Sequence, residues 1–267
     1  MRPLPQLAPV VSHTPLTPAH EVVGSGPPVA LVPGTFSDRR AWLRVLGALS
    51  PSFRCVQFDP RGTGATPDPG TPFTPDDLVE DLVAVLDAAR VGRCHLVGHS
   101  LGAAVALLAA ARHPSRVGRV VAVAPAFYVD AYLSAVLDHW EALARSDLPA
   151  GAVHRGLLLP AFGPRAFERL VPALAEELDR RPLDRATILR YVACDRAQDL
   201  RAAAPRVDAA VLVVAGAADV LTGPVHAWAV ADAIPGAEVE VLADCGHTPQ
   251  VERPAELSRL LISFLRR

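Results

Sequence analysis

Ser100 stands in the run Gly98-His99-Ser100-Leu101-Gly102, between an apolar stretch at 94–97 and an alanine-rich stretch at 101–112. The first reads as a strand and the second as a helix. A serine at a sharp strand-to-helix turn is held in an unfavourable backbone conformation and projects its hydroxyl above the sheet edge. Gly98 and Gly102 have no Cβ, so strand and helix can close around the bend, and Ala103 extends the same allowance. The N–H of Leu101 then lies at a helix N-terminus, where it can face a developing oxyanion. A serine hydroxyl is a weak nucleophile at neutral pH. It needs a base, and the base needs an acid to orient it.

Nine histidines are candidates for the base. His247, in "DCGHTPQVERP", falls in the turn between the last strand and the last helix. That turn and Ser100 both follow the carboxyl end of a parallel strand, so they share one sheet edge. Gly246 permits a tight turn and Pro249 stiffens its exit. His99 is adjacent to Ser100, and neighbours on a sharp bend point apart. His139, His154 and His226 lie in the middle region or on a later helix, and His226 is the strongest second player among them. The acid is expected at Asp219, in "VVAGAADVLTGP" after the strand at 210–215, with Asp130 and Asp244 as alternatives.

The elements that must position these groups alternate. Strands are expected at 20–23, 29–32, 55–58, 94–97, 117–124, 210–215 and 237–242. Helices are expected at 38–49, 75–89, 101–112, 225–234 and 254–265. Trp42, Leu46 and Leu49 share a face of the first helix. Leu78, Leu82, Val85 and Leu86 form the stripe of the second, which Thr74 and Asp77 start as in a capping box. Residues 1–18 read as a proline-rich extended arm. The rhythm breaks at 126–205, where helix-like pieces at 129–144, 164–180 and 185–194 have no strand between them. The fold class is therefore α/β, a mostly parallel sheet with helices on both faces, with 1–125 and 206–267 as the core domain. The segment 126–205 is expected to be a helical cap over the carboxyl end of the sheet, where such sheets bind ligands.

Composition narrows the function. The chain has 267 residues, 51% hydrophobic, with 26 basic and 28 acidic side chains and a net charge of −2. That balance gives no reason to expect nucleic acid or an anionic membrane as partner. Every basic residue is arginine, so Schiff-base and Ser-Lys chemistry is excluded. Cys55, Cys94, Cys194 and Cys245 are scattered and are expected to be buried free thiols in a reducing compartment. No signal-peptide or membrane-spanning run is seen, and a cytoplasmic protein is the simplest expectation. Metal-ligand spacing and a phosphate loop are both missing, so no cofactor and no metal is expected.

The order Ser100, Asp219, His247 resembles the nucleophile–acid–base order of the α/β-hydrolases, and the resemblance runs over nearly the whole chain. "VALVPG" at 29–34 is similar to the strand and turn that supply a second oxyanion donor in that family. "DPRGTGATPD" at 59–68 resembles its Asp-x-Arg-Gly-x-Gly loop, and "GRVVAVAP" resembles the strand after the nucleophile helix. Pro33 replaces the usual histidine of the turn. The resemblance implies that the second oxyanion N–H belongs to Thr35, with Phe36 as the fallback, and that Arg61 is structural. It implies a serine esterase or lactonase acting on a small to medium, largely apolar substrate. A C–C bond hydrolase, a thioesterase or acyltransferase, a non-hydrolytic relative and a binding protein stay open as alternatives. Expected substrate contacts are Phe36, Phe127, Tyr128, Tyr132, Trp140, Leu157, Leu158 and Phe162. Oligomeric state is not legible.

Overall fold

The structure is a computed structural model, and it describes residues 16–180 and 182–267. Most of the arm expected at 1–18 lies outside the described residues. The strands are β1 (His20–Val23), β2 (Pro28–Val32), β3 (Arg54–Phe58), β4 (Cys94–His99), β5 (Val117–Val123), β6 (Ala210–Gly216) and β7 (Glu238–Leu242). They form one sheet in the order β1-β3-β2-β4-β5-β6-β7. β1 pairs antiparallel with β3 and every other pairing is parallel. All the expected strands are present, and β4 runs to His99, two residues past the expected end.

Side chains alternate across the sheet, as the two-residue period requires. Val29, Leu31, Val97, Val121, Val123, Leu212 and Val214 face one buried cluster. Ala30, Val32, Leu96, Val120, Ala122, Val211 and Val213 face the other. The helices α1 (Leu43–Leu49), α2 (Pro75–Ala88) and α3 (Leu101–Arg112) follow the first parallel strands in turn. In place of one continuous helix at 38–49, Asp38 caps a 3-10 turn at Arg39–Trp42 and α1 begins after it. The capping box of α2 is formed, with Thr74 and Asp77 exchanging side-chain and backbone bonds. Arg61 pairs with Asp81 in the interior, the structural role expected for it.

Between β5 and β6 the chain runs through α4 (Ala131–Arg145), α5 (Ala150–Leu158), α6 (Pro164–Asp179) and α7 (Arg185–Arg196). The sequence pattern does not predict α5. Its two glycines, Gly151 and Gly156, lower helix propensity, and packing compensates. A Cβ on Gly156 would lie 2.5 Å from Leu143 Cδ1, so the glycine lets α4 and α5 approach. This insertion has its own apolar cluster, in which Leu137, Trp140, Val153, Leu157, Ile188 and Val192 are buried and Phe36 joins from the sheet side. The chain ends with α8 (Pro224–Ala233) before β7, then a short α9 (Pro249–Glu252) and α10 (Pro254–Leu265). Among the described residues no helix is long and apolar enough to cross a membrane.

Candidate active site

Ser100 is the residue between β4 and α3, at φ 53° and ψ −120°. That region costs a non-glycine residue on the order of 1–3 kcal/mol and persists only where surrounding bonds fix it. They do so here. The Ser100 N–H donates to the Val123 carbonyl at 2.9 Å, and the Ser100 carbonyl accepts from Ala103 N–H at 2.8 Å. The crossing is tight. A Cβ on Gly98 would come within 2.1 Å of the Gly102 carbonyl oxygen, and one on Gly102 within 2.4 Å of the carbonyls of Val32 and Pro33.

The structure brings Ser100, His247 and Asp219 together. His247 Nε2 lies 2.9 Å from Ser100 Oγ, and His247 Nδ1 lies 2.9 Å from Asp219 Oδ2. An Nδ1–H that donates to Asp219 leaves Nε2 bare to accept the serine proton. His247 and Asp219 are buried, and Ser100 is half-buried. Asp219 Oδ1 accepts from the N–H groups of Leu221 and Thr222 at 2.8 and 3.1 Å. Burial pushes its pKa up, but the charge and hydrogen bond of His247 and the two backbone donors outweigh that and hold it below the usual carboxylate value. The other acids lie elsewhere. Asp130 caps α4, and Asp244 is more than half exposed beside Arg165.

Thr222 escapes the sequence reading. Its Oγ1 lies 3.1 Å from Asp219 Oδ2, 3.2 Å from His247 Nδ1 and 3.0 Å from the Ala124 carbonyl. The only signal for it is its place three residues after the acid. Glu252 escapes it too. Its carboxylate accepts from Gly246 N–H at 2.9 Å, Thr248 N–H at 3.3 Å and Thr248 Oγ1 at 3.1 Å, so it grips the loop on both sides of His247. It also takes the N–H of Gly163, at the start of α6, at 3.3 Å.

His99 is buried beside His247, with ring centroids 5.0 Å apart. Its Nε2 lies 2.8 Å from the His247 carbonyl and must donate there, while Nδ1 is buried with no hydrogen-bond partner. Burial, then the neighbouring His247, pushes its pKa down to about 3, so it stays neutral. His226 accepts from Phe127 N–H at 3.2 Å and faces Asp130 at 3.4 Å, apart from the Ser100 chain of bonds.

Leu101 is the first residue of α3, and its N–H has no partner within the helix. Thr35 and Phe36 lie in a turn closed by the Ser37 N–H on the Gly34 carbonyl at 3.1 Å, with Phe36 at φ 58°. A Cβ on Gly34 would sit 3.1 Å from Ser100 Cβ, which places this turn directly against the serine. Thr35 Oγ1 lies 2.9 Å from each oxygen of Asp195, on α7. Phe36 packs on Trp140 and Tyr191, at 5.5 and 5.7 Å between centroids. Leu158 and Phe162 share a small cluster with Val251, near the His247 loop. Leu157 lies with Trp140 in the apolar cluster that Phe36 joins. Tyr132 is 54% exposed, and Tyr128 is exposed beneath the guanidinium of Arg201 and beside Phe127.

Among the described residues no cluster of His, Cys, Asp and Glu could hold a metal. The four cysteines are free and buried.

Residues 27–254 match the family model described as alpha/beta hydrolase fold. The chain is 31% identical over 258 residues to the pyrrolizixenacetamide deacetylase of Xenorhabdus hominickii, a match covering 91% of this chain and 92% of that one. It superposes on a hydrolase from Pseudomonas aeruginosa PA01 with a TM-score of 0.83 and 30% identity, covering 92% and 93% of the two chains. The enol-lactonase from Burkholderia xenovorans LB400 gives a TM-score of 0.83 at 25% identity, covering 93% and 96%.

Proposed function

The chain belongs to the α/β-hydrolase fold family, and from that premise we propose that it is a serine hydrolase of a small to medium, largely apolar carboxylic ester or lactone. The observation that carries this reading is the unbroken line of bonds Ser100 Oγ, His247 Nε2, His247 Nδ1, Asp219 Oδ2, each 2.9 Å long. Ser100 attacks the substrate carbonyl while His247 takes its proton. Asp219 holds the imidazole in the tautomer that leaves Nε2 free, and it stabilises the imidazolium that forms. The N–H groups of Leu101 and Thr35 receive the oxyanion, and one such donor is worth roughly 3–4 kcal/mol in other enzymes. The intermediate collapses as the C–O bond to the alcohol breaks and His247 gives its proton to the departing oxygen; water, activated by His247, then releases the acid and restores Ser100.

Residues 126–205 serve in this reading as the cap that selects the acyl group. Its apolar cluster is joined by Phe36, in the same turn as Thr35, which supports a substrate with a largely apolar acyl part. The relative named a deacetylase and the neighbour titled an enol-lactonase carry names for acyl hydrolysis, which fits. The free thiols fit a reducing compartment.

The test is hydrolysis of short nitrophenyl esters together with covalent labelling by a fluorophosphonate. Ser100→Ala should abolish labelling and lower turnover by several orders of magnitude, while Asp219→Asn should cost about 10⁴-fold through the wrong tautomer. A Ser100→Ala variant that still labels and turns over removes the serine from the mechanism. Damage from Asp130→Asn or Asp244→Asn in place of Asp219→Asn moves the acid elsewhere.

A further inference from the structure

Asp195 is 4% exposed and sits on the inserted helix α7, directly over the oxyanion turn. Its two oxygens face Thr35 Oγ1, and Oδ1 also accepts from Gln198 Nε2 at 2.6 Å. Among the described residues no arginine forms an ion pair with it. The titratable groups that act on it are His247 from the loop after β7, and Tyr191 and Cys194 from its own helix. Burial holds both Tyr191 and Cys194 well above their usual values, so neither carries charge. A buried carboxyl with two neutral donors and no cation is poorly compensated as an anion.

A threonine hydroxyl has one hydrogen to give and lone pairs to accept with. Which it does toward Asp195 depends on where the proton lies. We propose that Asp195 is a positioning residue that sets the direction of the Thr35 hydroxyl: protonated, it donates to Thr35 Oγ1 and leaves that hydroxyl free to donate to the oxyanion, and ionised, it captures the hydroxyl for itself. This rests on the serine-hydrolase reading above, with Thr35 in the oxyanion hole. The ionised carboxylate opposes the reaction twice, by removing a donor and by adding negative charge beside a developing one. Burial pushes the Asp195 pKa up to about 7 against the Thr35 bond and the charge of His247, so both forms are within reach at physiological pH. The rate then falls at alkaline pH as Asp195 loses its proton, and that alkaline limb belongs to the insertion and not to the triad.

The experiment measures kcat and KM against pH for 4-nitrophenyl butyrate, using the full chain and the variants Asp195→Asn, Thr35→Val and Thr35→Ser. Asparagine fixes the protonated arrangement, since its amide N–H donates to Thr35 Oγ1 and its carbonyl accepts from Gln198. Asp195→Asn should keep the maximal kcat of the wild type and lose the alkaline fall. Thr35→Val keeps the backbone N–H, and should lower kcat by about 10- to 100-fold, at or below the effect of removing a whole oxyanion donor elsewhere, with KM little changed. Thr35→Ser should restore both the rate and the alkaline limb. An alkaline limb in Asp195→Asn that matches the wild type overturns the proposal. So does a uniform loss at every pH, or a Thr35→Val enzyme as fast as the wild type. If Asp195→Asn does not fold, the Thr35 pair decides alone. Fluorophosphonate labelling of Ser100 runs beside each assay. A wild type that neither labels nor hydrolyses defeats the serine-hydrolase reading itself, whereas labelling with an unmoved pH profile defeats only the role of Asp195.

Discussion

Replacing His99 with glutamine should change how stability depends on pH. The glutamine amide can still offer an N–H to the His247 carbonyl, but it cannot titrate. In the folded wild type, burial and then the neighbouring His247 hold the His99 pKa at about 3, against 6.5 for the free side chain. The unfolded chain therefore takes up a proton that the folded chain refuses at every pH between those values. Stability from this group is fully present above about 6.5, and it is lost as pH falls toward 3. At pH 5 the distance from 6.5 is 1.5 units, which at about 1.4 kcal/mol per unit gives a loss of about 2 kcal/mol. The assay is urea denaturation of wild type and His99→Gln at pH 7 and pH 5. At pH 7 the variant is less stable, since glutamine fills the ring's place poorly. Between the two pH values the gap between the proteins should close by about 2 kcal/mol, because only the wild type loses the His99 contribution. Titrations common to both proteins cancel in that difference. Parallel stability curves would mean that His99 accepts its proton equally well folded and unfolded.

Gly102→Ala should push its new methyl group into the carbonyls of Val32 and Pro33, which are backbone and cannot rotate away. The expected cost is about 1–3 kcal/mol, with a fall in kcat at least as marked because the oxyanion turn moves with those carbonyls; thermal melting and esterase rates on the same sample check both. Trp140→Ala should cost about 3–5 kcal/mol, the range for a buried aromatic, and should shift preference toward bulkier acyl chains because Phe36 loses the ring it packs on. A melting curve paired with a panel of esters separates that outcome from a plain loss of activity.

Much of this is legible in the sequence because the signals are local. The strand at 94–97 and the helix at 101–112 are contiguous runs, and the two glycines between them have one steric purpose. The alternation of strands and helices then places Asp219 and His247 on the same edge as Ser100 without any knowledge of side-chain contacts. What is not legible depends on distance along the chain. Asp195 meets Thr35 across 160 residues and Glu252 meets Gly163 across 89, and neither pairing leaves a mark on local periodicity. The helix α5 is hidden for a related reason. Its glycines argue against a helix locally, and Gly156 is explained only by the α4 side chain that presses on it. Tyr128 and Tyr132 look alike to Trp140 in sequence because all are aromatic, yet on α4 Trp140 is buried while Tyr132 is mostly exposed.

Glu252 ties the loop around His247 to the segment between β5 and β6. Its carboxylate binds N–H groups on both sides of His247 and another at the start of α6. The fit around it leaves no spare volume. A Cβ on Gly246 would lie 2.1 Å from the Gly163 nitrogen and 2.8 Å from Glu252 Oε1, and one on Gly163 would lie 3.2 Å from Glu252 Oε2. Gly246 and Glu252, six residues apart, are thus packed into one unit with Gly163, 89 residues before Glu252. A side chain gained at Gly246 presses on the backbone of the insertion, and a shortened Glu252 strands three backbone donors at once. A chain whose insertion is exchanged for another should therefore keep the imidazole in place only when the new segment also has glycine at position 163.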